Sequence, residues 1–129
     1  MPGMQAVRRG AAALHLAFLV VVIAGVFCQV YLAGSYVFGA GDALDAHRGL
    51  GWATHSFETL VLVAALVAWL PRSDIGMSFA LFAIGTLQVL LAGSSDWVGG
   101  LHALGALMVV GLAFAMVARR RRTRVLAAG

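Results

Sequence analysis

Gln29-Val30-Tyr31-Leu32-Ala33-Gly34-Ser35 returns 59 residues later as Gln88-Val89-Leu90-Leu91-Ala92-Gly93-Ser94, and six of the seven positions match. Each copy runs through a short polar connection into a histidine trailed by glycine: His47-Arg48-Gly49-Leu50-Gly51 after the first, His102-Ala103-Leu104-Gly105 after the second. A phrase repeated at this spacing and ending in a matched residue points to a duplicated helix hairpin that delivers two imidazoles to one place. The fold expected from it is all-α, an integral membrane four-helix bundle made of two tandem hairpin repeats.

The solvent around those hairpins follows from composition. Of 129 residues, 62% are hydrophobic and 11% charged, and the mean hydropathy is +0.96. Those are membrane-protein values, and four spans of roughly 20 residues use nearly the whole chain as one domain. The expected spans are 12–38, 43–70, 76–93 and 97–118; the first connection is Gly39 to Asp45 with Asp42 as helix N-cap, the second is Pro71-Arg72-Ser73-Asp74, and Ser94-Ser95-Asp96 caps the fourth helix. The apolar run from Gly10 to Gly41 is too long for the roughly 7–15 residue core of a cleaved signal peptide. Cys28, the single cysteine, excludes a disulfide framework and reads as a small buried hydrophobe.

A net charge of +4 and a pI near 10.7 do not indicate nucleic acid, because the basic residues flank the apolar runs instead of forming an aromatic-studded surface. All nine are arginine, a usage that fits a GC-rich bacterial genome. Arg8, Arg9, Arg72, Arg119 to Arg122 and Arg124 lie at the termini and the second connection, which the positive-inside rule places in the cytoplasm of a bacterial inner membrane. The two histidine-bearing ends then face outward. With two spans per repeat, the halves share one orientation about an axis along the membrane normal.

On the second helix His47, Gly51, Thr54 and Glu58 fall along one stripe, and on the fourth His102, Gly105, Ala106 and Val109 do the same. Two facing imidazoles, each with glycine one turn away, leave a flat slot beside nitrogen ligands. That arrangement suits a bis-histidine b-type heme, with Arg48 near the opening to pair with a propionate. His55 competes with His47: the repeat favours His47, whereas depth counted from the cytoplasmic helix ends matches His55 with His102. His15 has no repeat mate and reads as an ordinary hydrogen-bonded histidine. Glu58 is the acid placed well inside a span, where a charge costs at least about 2.5 kcal/mol on insertion scales. It is a candidate proton-relay or quinone-site group, or a partner of Thr54, His55, Gln29 or Gln88.

The order Gln-x-x-Leu-x-Gly, connection, His-Arg at the start of helix two, then a second Gln motif and a histidine at the start of helix four resembles one four-helix half of heme A synthase. It is also similar to small four-helix membrane proteins that share the pattern. Gln29, Gly34, His47, Arg48, Gln88, Leu91 and His102 carry the likeness, which covers nearly the whole chain. In this chain there is one half instead of two, and no cysteine pair. The resemblance implies that His47 and His102 are the heme ligands. The expected role is electron transfer, alone or as the heme subunit of an oligomeric membrane oxidoreductase, with a quinone or other redox partner. The alternatives are a non-enzymatic accessory or assembly protein and a small proton-coupled transporter using Glu58.

Overall fold

The computed structural model describes residues 2–128 and the side chains of residues 3–122, so the side chain of Arg124 lies outside it. Four helices follow one another: α1 (Pro2–Val37), α2 (Ala43–Val67), α3 (Arg72–Leu91) and α4 (Asp96–Ala128). Each is long and apolar enough to cross a membrane. The shortest, α3 with 20 residues, is about 30 Å long, the thickness of a hydrocarbon core. α1 packs on α2 and α4, and α3 packs on the same two. The bundle is therefore square in section, with α2 diagonal to α4 and α1 diagonal to α3.

The helix ends have local causes. α1 closes where Gly39 takes φ +101° and Ala40 N–H reaches back to the Ser35 carbonyl at 3.0 Å, a left-handed exit that glycine adopts without strain. α2 stops at Val67, short of Leu70. Trp69 turns left-handed at φ 53°, and Leu70 N–H bonds to the Ala65 carbonyl at 3.1 Å, so the chain has left the helix before Pro71. Pro71 then serves as N-cap of α3. Asp42 occupies the N-cap position of α2 without a side-chain capping bond; Asp45 supplies the first-turn negative charge. α1 and α4 run well past the expected spans, because hydropathy marks a span and not a helix, and arginine is a good helix former.

The main core, Leu19, Val22, Val26, Val61, Leu81, Val109, Ala113, Met116 and Val117, lies in the middle and the arginine-bearing half of the bundle. A smaller cluster of Ala11, Ala65, Ala68 and Leu70 seals that end. Helix hydroxyls are satisfied within their own helices: Thr54, Ser56, Thr59, Ser78 and Thr86 each donate to the carbonyl four residues back, at 2.8–3.1 Å. Such back-bonding satisfies a helix hydroxyl without water. Cys28 is exposed, against the expectation of burial, because its neighbour Gln29 takes the inward position and turns Cys28 about 100° away.

Candidate functional site

The end of the bundle opposite the arginines is built around His47 and His102. They come from the diagonal helices α2 and α4, and their rings meet across the bundle axis with centroids 6.1 Å apart and planes inclined at 67°. Each ring is held by the helix before it in sequence. His47 Nδ1 lies 3.1 Å from the Gln29 carbonyl oxygen, and His102 Nδ1 lies 3.0 Å from the Gln88 carbonyl oxygen. The repeated glutamines thus position the repeated histidines through their backbones.

Protonation follows from these contacts. A carbonyl oxygen has no proton to give, so both Nδ1 atoms must carry hydrogen and donate it. A neutral ring held this way keeps its lone pair on Nε2, the form in which imidazole binds a metal, and the carbonyl fixes the ring's orientation. Among the described residues no group of three or more His, Cys, Asp and Glu side chains could hold a metal ion.

One turn below the histidines the glycines receive the glutamine side chains. A Cβ on Gly51 would meet Gln29 Nε2 at 3.0 Å, and one on Gly105 would meet Gln88 Oε1 at 2.8 Å. Both glutamine Oε1 atoms are buried without a hydrogen-bond partner, so these amides fill the two notches while gaining no bond for their carbonyl oxygens. Beside Gln88 and Gly105 the bundle opens between α3 and α4 into an apolar groove of about 180 Å³, walled by Leu87, Leu101, Leu104 and Met108. Arg48, next to His47 on α2, is exposed and lies 3.3 Å from Asp45.

The rest of the α2 stripe turns inward. Thr54 lies against Gly25 of α1, and Glu58 lies against Gly85 of α3 so closely that a Cβ there would collide with its carboxyl group. Glu58 is 3% exposed and bonds to its helix neighbour His55, Nδ1 to Oε2 at 2.9 Å. Thr54 is not its partner, since the threonine proton goes to the Leu50 carbonyl, and neither is Gln29 or Gln88. His55 stacks on Phe82 of α3, centroids 5.6 Å apart. The structure therefore brings His47 and His102 together and places His55 apart, with Glu58. Phe82 was not foreseen; Gly85 reads from the sequence as a small residue that lets helices approach, and the structure adds that it faces the Glu58 carboxyl group.

His15 lies at the far end, 1% exposed, with Nε2 3.1 Å from Ser78 Oγ. The serine proton is committed to the Asp74 carbonyl, so His15 donates from Nε2. Asp74 in turn holds Arg119 at 3.1 Å, tying α1, α3 and α4 together.

Residues 29–95, half of the chain, match the model of DUF6220, a family of unknown function, and the chain belongs to that family. No curated protein and no solved structure matches it.

Proposed function

We propose that this member of DUF6220 spans a bacterial cytoplasmic membrane four times, as a tandem duplication of one hairpin, and holds a single b-type heme between His47 and His102 for electron transfer. The heme subunit of a larger or homo-oligomeric membrane oxidoreductase is the same reading in an assembly. The observation that carries it is the matched pair of imidazoles, 6.1 Å apart, each with Nδ1 spent on a backbone carbonyl and Nε2 left as a ligand.

The residues present fit the group. His47 and His102 would hold a porphyrin iron through their imidazole nitrogens, and among the described residues no third His, Cys, Asp or Glu joins them to complete a bare-metal site. Gln29 and Gln88 lie in the glycine notches without partners for Oε1, so swinging them aside for a macrocycle breaks no bond to those oxygens. When bound, heme supplies one-electron redox chemistry. The chain's own part is to hold both rings in one tautomer, to leave space at Gly51 and Gly105, and to offer Arg48 to a propionate in place of its exposed contact with Asp45. The arginine distribution sets both termini inside and the histidine pair toward the outer leaflet.

The deciding measurement is a reduced-minus-oxidised spectrum of protein purified in mild detergent, which is expected to show a low-spin bis-histidine b-type signal. Colourless protein from heme-sufficient cells overturns the reading in favour of an accessory protein whose histidines tie helices together. One observation favours a second reading, a proton-coupled transporter: Glu58 is enclosed beside His55, away from the histidine pair. Proton flux into vesicles that is abolished by Glu58→Gln in heme-free protein would decide for it.

A further inference from the structure

His55 and Glu58 take no part in holding heme, yet they form a polar pair in an otherwise apolar region. His55 lies eight residues along α2 from His47, about 12 Å down the helix axis. The acid is inside and the imidazole in front of it: the Glu58 side chain is 4% exposed and that of His55 17%. Gly85 makes room for the carboxyl group, and Phe82 stacks flat on the imidazole. Trp52, one turn from His55 on α2, and Phe79, one turn from Phe82 on α3, are exposed, so exposed aromatic residues lie one turn from each member of the His55–Phe82 stack.

A carboxylate behind an imidazole is the arrangement of an oriented general base. In its carboxylate form Glu58 accepts Nδ1–H at 2.9 Å, fixes the ring, leaves the lone pair on Nε2, and balances the imidazolium once a proton arrives. With the chain in a bilayer the seam faces hydrocarbon, so whatever approaches Nε2 must dissolve among acyl chains and still carry an acidic O–H. A hydroxylated aromatic ring on a hydrocarbon tail meets both conditions, and the aromatic surround matches its flat faces.

We propose that His55 and Glu58 form a site that binds and deprotonates a lipid-soluble quinol. The quinol O–H bond breaks, its proton goes to His55 Nε2, and an electron leaves to a one-electron acceptor. Water takes that proton from His55, the second hydroxyl proton and second electron follow by the same routes, and the ring departs as quinone. The ferric heme that His47 and His102 would hold would be that acceptor, and an external one-electron carrier would reoxidise it. That electron half rests on the heme assignment, whereas quinone binding and proton uptake do not.

The test is a titration of the full-length protein in detergent with a short-tailed quinone, followed by quenching of Trp52 in a Trp69→Phe, Trp97→Phe background. Saturable quenching is expected. His55→Ala should weaken it about tenfold, the loss of one strong hydrogen bond. Gly85→Ala, which displaces the Glu58 carboxyl, should weaken it while helix content by circular dichroism stays unchanged. Quenching that rises linearly with quinone, or that His55→Ala leaves untouched, overturns the proposal and makes the seam a surface for acyl chains only. The same titration on heme-free protein separates the two readings: saturable binding there keeps this site even where the spectrum has removed the heme.

Discussion

The two ends of the bundle hold histidines in opposite ways. At one end His47 and His102 spend Nδ1 on a backbone carbonyl and keep Nε2, half-buried and turned toward each other. At the other, His15 spends Nε2 on Ser78, and its Nδ1 is enclosed without a hydrogen-bond partner. The first end also carries unpartnered amide oxygens and an open groove; the second is closed by Asp74 with Arg119 and by Arg8, which donates to the Ala68 carbonyl at 3.3 Å and lies over Trp69. The same side chain thus becomes an available ligand or a fastening, according to which nitrogen is consumed and whether the other faces a partner ring or a wall of helices.

The sharpest way to break this comparison is to remove the histidines one at a time. His47→Ala and His102→Ala should each convert the low-spin spectrum to high-spin or lose heme altogether, with similar severity, because each ring is held by the carbonyl of a repeated glutamine whose side chain rests on a glycine one turn away. His15→Ala and His55→Ala should leave the low-spin signal in place. A low-spin signal that survives His47→Ala and vanishes with His55→Ala would mean that depth, and not the repeated motif, selects the ligand.

A smaller effect is expected from the fastened end. Asp74→Ala strips Arg119 of its carboxylate and should lower stability by about 1–3 kcal/mol, less than a wholly enclosed pair because Arg119 is half exposed. Thermal unfolding in detergent reads this out, and the heme spectrum should not change. A spectral change would show that the two ends are coupled through α4.

The smallest effect tests what holds the rings. Gln29→Ala and Gln88→Ala remove the amides but keep the backbone carbonyls that accept from His47 and His102, so low-spin ligation should persist with a stability change within about 0.5 kcal/mol. Loss of ligation in either variant would assign the positioning to the side chain instead of the main chain.

Much of the architecture could be read from local sequence, because four long apolar runs broken at Gly39, Pro71 and Ser94-Ser95 admit few other arrangements. The α2 stripe from His47 to Glu58 was equally legible, since helical periodicity alone fixes which residues share a face. Helix lengths were read less well: α4 continues to Ala128 because charge ends a membrane span without ending hydrogen bonding along a helix. Cys28 was misplaced for a related reason, an apolar run giving no sign of which side faces outward.

By itself, then, the sequence determined four apolar helices, a matched pair of Gln and His motifs, and one acid among apolar residues. All of these depend on composition, periodicity and repetition along the chain. Tertiary structure alone decided that α2 and α4 are diagonal, that each histidine is held by a main-chain oxygen of a different helix, and that Glu58 rests on Gly85 with His55 in front of it. Those facts depend on the rotation of one helix against another and on the approach of backbone atoms. Every residue carries the same peptide carbonyl, so no side-chain pattern marks which carbonyl will meet an imidazole.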